Sequence, residues 1–185
     1  MKLQLSLTTA LMLTTAVAMA NCGNQKVQNN QAATPDAIQQ EANDTLEDQP
    51  IAPDFELTDI NGKQFKLSSL RGKIVVIDFW GSWCGWCVKG MPEMKKYYEK
   101  YKGKMEIVGV DCGDTKEQWK AAVDNLALPW IHVYNPKGAG DITQEYGIQG
   151  FPTKFIVGKD GKLITVVIGE DPAFYTTLDE VMEKE

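Results

Sequence analysis

The sequence predicts an α/β domain: a central mixed β-sheet flanked by helices, with an extra β-hairpin on its N-terminal side. Three observations predict it. The run Lys73-Ile74-Val75-Val76-Ile77-Asp78-Phe79-Trp80 is β-branched and nearly continuously apolar, as suits a central strand covered on both faces. Strand-like runs of this kind alternate with segments of helical period. Two dipeptides, Asn61-Gly62 and Asp160-Gly161, carry the chemistry of tight hairpin turns.

In chain order, residues 1–20 read as an address and not as fold. Lys2 supplies the positive start, Leu3 to Val17 is largely apolar, and Ala18-Met19-Ala20 has the small-x-small pattern of a signal-peptidase site. The stretch lacks the roughly 20 strongly apolar residues of a membrane span. Cleavage after Ala20 is the preferred reading. The alternative is a lipoprotein signal ending at residue 21, with Cys22 lipidated and the protein anchored to a membrane. Residues 21–50 are rich in Asn, Gln, Asp and Glu and poor in large apolar side chains. Such a segment buries too little surface to offset its conformational entropy, and reads as a disordered polar tether reaching about 30 Å.

The folded domain is expected over 51–185. Phe55 to Leu57 and Gln64 to Leu67 form the hairpin, and Lys73 to Trp80 the central strand. A helix follows from about Cys84 to Lys102, with Met91, Met94, Tyr98 and Tyr101 at helical spacing and a kink at Pro92. Met105 to Val110 is a second buried strand. Thr115 to Leu126 is a helix with Trp119, Ala122, Val123 and Leu126 on its inner face. A short strand (Trp130 to Tyr134) and a short helix (Asp141 to Tyr146) come next. Strands Phe155 to Val157 and Leu163 to Ile168 flank the Asp-Gly turn, and Phe174, Leu178, Val181 and Met182 mark a closing helix.

Composition excludes several classes of function. The net charge of −6 and the absence of a basic block argue against nucleic acid. No phosphate-cradling glycine loop is present. With four cysteines and one histidine, only Cys84 and Cys87 at paired spacing, no metal site is indicated, and no cofactor.

The chemistry concentrates at Trp83-Cys84-Gly85-Trp86-Cys87, where the central strand ends and the long helix begins. A helix N-terminus offers unpaired N–H groups and the positive end of the macrodipole to the Cys84 sulfur. Both favour thiolate, the form that attacks disulfides. Cys87, one turn deeper, is suited to resolve a mixed disulfide. Asp78, a carboxylate inside an apolar strand, should have its pKa raised by desolvation and could relay protons near neutral pH. Cys112, at the start of a loop, reads as an incidental thiol, and His132 as a core histidine.

These residues carry a resemblance. Val76 to Cys87 resembles the active-site strand and loop of thioredoxins. Ala52-Pro53-Asp54-Phe55 and Leu67-Ser68-Ser69-Leu70-Arg71-Gly72-Lys73 resemble the lead-in of the exported TlpA/ResA branch of redoxins (AhpC/TSA-type). Gly150-Phe151-Pro152-Thr153 resembles the superfamily's cis-proline loop. The resemblance covers Ile51 to Glu185 and implies the thioredoxin fold. It further implies Cys84 as attacking sulfur, Cys87 as resolving sulfur, Asp78 as proton acceptor for Cys87, and a cis bond at Pro152. Trp83, Gly85, Trp86, Phe151, Pro152 and Thr153 would border the substrate.

The function implied is thiol-disulfide exchange in the periplasm or cell envelope of a bacterium, most simply reduction of disulfide-bearing envelope proteins, with apocytochrome c thiols among the candidates. A membrane electron donor would restore the dithiol. Alternatives are an oxidase or isomerase of the same fold, a thiol peroxidase with antioxidant activity, and a non-catalytic binding domain. Two departures stand out. Asp78 occupies a position where many members of that branch carry Asn, and Gly90 one where they carry Glu.

Overall fold

The computed structural model describes residues 49–184. The expected export signal (1–20), Cys22 and all but the end of the tether (21–50) lie outside the described residues.

Seven strands form one sheet in the order β2-β1-β5-β4-β3-β6-β7. They are β1 (Glu56–Asp59), β2 (Gln64–Lys66), β3 (Ile74–Trp80), β4 (Met105–Cys112), β5 (Ile131–Asn135), β6 (Thr153–Val157) and β7 (Leu163–Ile168). The helices are α1 (Gly85–Lys100), α2 (Lys116–Asn125) and α3 (Ala173–Lys184). The sheet is mixed: β3, β4 and β5 run parallel, while β6, β7, β1 and β2 pair antiparallel.

β3 is buried along its whole length. Its alternate residues feed two separate cores. Ile74, Val76 and Trp80 point to the face covered by α1, α2 and α3, where they meet Met91, Met94, Trp119, Phe174 and Leu178. Val75, Ile77 and Phe79 point to the other face. That face is closed by the N-terminal segment (Ala52, Phe55, Leu57, Leu67) and by Ile142 and Tyr146. Period-2 alternation thus puts Asp78 on the helical face.

Asp179 of α3 ties α3 to α1: it accepts from the Tyr101 hydroxyl at 2.5 Å, the Lys100 ammonium at 2.8 Å and the Tyr97 hydroxyl at 3.2 Å. α2 begins with a reciprocal capping box between Thr115 and Gln118.

Two expectations are corrected. Asp141 to Tyr146 does not form a helix. The Asp141 carboxylate accepts from the Thr143 backbone and hydroxyl and from the Asn135 amide, and Gly147 at φ +62 ends the segment after one turn. Tyr146 instead drives its ring between Phe55, Phe79 and Phe155, with its hydroxyl on the Pro53 carbonyl. Secondly, β4 runs two residues further than expected, because Asp111 and Cys112 still pair with Tyr134 and Asn135. Cys112 is therefore a buried strand residue and not a loop thiol. Burial pushes its pKa up to about 12, which keeps it protonated and inert. α1 runs through Pro92, whose ring is exposed, as one helix over the expected span.

Candidate active site

The end of β3 delivers the chain into the turn Gly81-Ser82-Trp83, and Cys84 is the N-cap of α1. Three contacts fix this turn. The Ser82 N–H and hydroxyl both donate to the Asp114 carboxylate at 2.7 Å. The Trp83 indole N–H donates to the Cys112 carbonyl at 2.9 Å. The Cys84 N–H donates to the Gly81 carbonyl at 3.0 Å. Gly81 is required because any Cβ there would strike the Trp83 indole and the Cys112 carbonyl.

Cys84 and Cys87 form a disulfide, with Cα atoms 5.3 Å apart. The Cys84 sulfur accepts the Cys87 N–H at 3.2 Å, taking up one of the unpaired donors of the helix start. Both cysteines are buried, Cys84 at 6% exposure and Cys87 at 2%, whereas Trp83 and Trp86 beside them are 57% and 62% exposed. An apolar rim therefore surrounds a largely covered sulfur pair.

The loop before β6 closes the other side of the rim. The Phe151-Pro152 peptide is cis, and the Phe151 ring meets Trp83 edge-on at 5.2 Å. The Pro152 carbonyl accepts the Gly169 N–H at 2.7 Å. Thr153 is buried with its hydroxyl on the Gly150 carbonyl, so its side chain does not face the rim. Gly85 is exposed, with open space where a side chain would project.

Asp78, on the helix-covered face of β3, is 1% exposed, and its Oδ1 has no hydrogen-bond partner among the described residues. Burial pushes its pKa up to about 6, against the pull of the Lys154 ammonium and with a smaller push from Glu170. Lys154 stands directly across from Asp78 in the β3–β6 register. Its ammonium is bound at 2.5 Å to Glu170, which follows β7 and also accepts the Tyr175 hydroxyl at 3.1 Å. Glu170 occupies the space beside Gly90 of α1, where an added Cβ would collide with its carboxylate. Asp111, wholly buried beside Asp114, is pushed up to about 8 by burial, and so is largely protonated at neutral pH. His132 packs between Trp80 and Trp130, and burial pushes it down to about 4, keeping it neutral.

The structure brings together Cys84, Cys87, Trp83, Trp86, Phe151 and Pro152 around the start of α1, and places Asp78 on the helix-covered face of β3 across from Lys154. Sequence reasoning missed Asp114, Lys154 and Glu170. A lone lysine within Thr153-Lys154-Phe155-Ile156-Val157 was a visible anomaly; Asp114 and Glu170 carried no signal.

The Gly90–Glu170 contact yields a stability prediction. Gly90→Ala gains about 1 kcal/mol of helix propensity, but it must push the Glu170 carboxylate off a buried lysine. Urea unfolding is expected to show a net loss of about 1–2 kcal/mol. In a Glu170→Ala background the same substitution should be neutral or stabilising. Equal effects in the two backgrounds would mean that the contact is not what matters.

The AhpC/TSA family profile matches residues 49–166. The thiol-disulfide oxidoreductase ResA of Bacillus thuringiensis is 42% identical over 120 residues, covering 64% of this chain and 68% of that protein. The chain is a ResA-like member of the AhpC/TSA family. Two solved structures extend the likeness of this ResA-like protein. The thioredoxin domain of a thiol-disulfide oxidoreductase from Bacteroides vulgatus is 30% identical with a TM-score of 0.65, covering 72% of this chain and 96% of that one. An exposed lipoprotein thioredoxin of Streptococcus pneumoniae is 26% identical with a TM-score of 0.60, covering 69% and 99%. The ResA-like chain therefore has the thioredoxin fold and is a thiol-disulfide oxidoreductase with a redox-active cysteine pair.

Proposed function

We propose that this protein reduces disulfides of exported proteins in the cell envelope of a bacterium, with Cys84 attacking and Cys87 resolving. The observation that carries the reading is the seating of the pair. Cys84 caps α1 at the apolar rim of Trp83, Trp86 and Phe151, while Cys87 is buried one turn further into the helix.

The Cys84 thiolate attacks one sulfur of the substrate disulfide. A Cys84–substrate bond forms, the substrate S–S bond breaks, and the second substrate sulfur leaves as a thiolate that takes a proton from water. The Cys87 thiol then gives its proton to the Asp78 carboxylate and attacks the Cys84 sulfur. The Cys84–Cys87 bond forms, and the first substrate sulfur leaves as thiolate. Two electrons pass from the dithiol to the substrate, and a membrane electron donor returns them. The rim supplies apolar contact to an extended substrate segment beside Pro152.

The signal-like start over 1–20 and the polar tether over 21–50 support export. Likeness to an exposed lipoprotein thioredoxin supports a lipid anchor at Cys22 as the variant of this reading. No helix of the described residues is long and apolar enough to cross a membrane. Apocytochrome c thiols are the substrate candidate within this proposal.

The test is the potential of the Cys84–Cys87 couple in glutathione buffers, together with insulin reduction. A reductase should lie toward the thioredoxin end, about −270 mV, and reduce insulin. A value near the DsbA end, about −120 mV, without insulin reduction, reverses the direction to an oxidase.

A further inference from the structure

The buried Lys154 poses a question of pairing. It stands across from Asp78 on the same face of the sheet, and a buried lysine beside a buried carboxylate would ordinarily bind it. Here the Asp78 Oδ1 is left without a partner among the described residues, and Lys154 is turned to Glu170. Glu170 can receive it because Gly90 leaves room for its carboxylate and the Tyr175 hydroxyl holds its other oxygen.

We infer that Lys154 and Glu170 are positioning residues: Glu170, seated in the space left by Gly90, holds Lys154 off the Asp78 carboxylate and so keeps Asp78 free to take and release the Cys87 proton. This rests on the proposed role of Asp78 and adds the device that keeps it available. The other groups around Asp78 do not supply the function. From β4 its neighbour is Gly109, behind which lies the neutral ring of His132. Asp111, further along β4, is largely protonated at neutral pH. Cys112 lies in the core of the opposite sheet face and stays protonated. α3 contributes Tyr175, whose hydroxyl burial keeps un-ionised and which is spent on Glu170. α1 contributes the cysteines and, further along, Glu93, which is half-buried. Lys154 and Glu170 are thus the charged pair packed against this carboxylate, and the Lys154 ammonium also lies 5.8 Å from the Phe174 ring centre, in an apolar setting where charge acts strongly.

The arrangement makes opposite predictions for the two partners. In Glu170→Gln, Lys154 is released to bind Asp78, which becomes a weaker base. In Lys154→Met, Asp78 loses its nearest cation and becomes a stronger one. The experiment follows release of a preformed Cys84 mixed disulfide in single turnover as a function of pH, in the full chain. Glu170→Gln is expected to move the midpoint down by about one pH unit and Lys154→Met to move it up by about one. Both shifts should vanish when combined with Asp78→Asn.

Shifts of the same sign, or none, while Asp78→Asn still removes the inflection, overturn the inference and leave the proposed function standing. An unchanged profile in Asp78→Asn alone overturns the role of Asp78 and this inference with it. Should Lys154→Met fail to fold, the sign of the Glu170→Gln shift decides, because glutamine keeps the shape of the side chain and an oxygen for Tyr175.

Discussion

Cys84→Ser is expected to reduce disulfide turnover by about a thousandfold or more, and Cys87→Ser to trap substrate instead of releasing it. The two outcomes differ because the cysteines differ in place. Cys84 is the helix cap at the rim, where a thiolate gains from the macrodipole and from the Cys87 N–H. Cys87 lies one turn deeper at 2% exposure and can reach a substrate only through Cys84. Intact-mass analysis after incubation with a disulfide peptide should show a stable adduct on Cys87→Ser and none on Cys84→Ser. The reverse pattern would exchange their roles.

Asp78→Asn should both slow resolution and flatten the pH dependence of stability. The unfolded chain ionises this carboxyl near its ordinary value of 3.8, whereas the folded chain holds the proton to about 6. Below pH 3.8 both states are protonated and no stability is lost. Between the two values the folded state keeps a proton that the unfolded state has released, so stability falls as pH rises. Above about 6 the loss is complete, at about 3 kcal/mol. Asparagine does not titrate and removes this slope, while Asp111 titrates in both proteins and cancels in the comparison. Urea unfolding of the oxidised proteins at pH 4 and pH 8 should therefore change in favour of the variant by about 2 kcal/mol, because part of the loss has already occurred at pH 4. Parallel pH profiles would show that Asp78 ionises normally despite its burial.

The strands and helices were legible where one physical signal dominated. β3 is buried along its length and reads as a continuous β-branched run; α1 and α3 carry apolar side chains at helical spacing. Misreadings came where side-chain hydrogen bonds compete with the backbone. Asp141 redirects the segment to Tyr146 into turns; β4 runs past Val110 for another reason, because its backbone ladder with β5 continues through Cys112 and Asn135. At the site, Cys84, Cys87, Asp78 and Pro152 were visible as a motif with its spacing. The Asp114 anchor of the turn was not, because it joins residues 32 apart through a contact that no local pattern encodes. Glu170 was hidden for the same reason, although the missing side chain at Gly90 was its outline.

The capping bond of Cys84 ties the redox state of the pair to the heat stability of the whole protein. In the oxidised protein the first turn of α1 is held by a covalent link; reduction removes that link, and a thiolate formed at Cys84 would be favoured by the helix start. A thermodynamic cycle equates the difference in unfolding free energy between these forms with the displacement of the couple from an unconstrained dithiol, about 1.4 kcal/mol for each 30 mV. An oxidised form that melts above the reduced one marks an electron donor, and the opposite order marks an acceptor. Two calorimetric scans, before and after dithiothreitol, thus read the direction of flow from melting temperature, with no substrate in the cell.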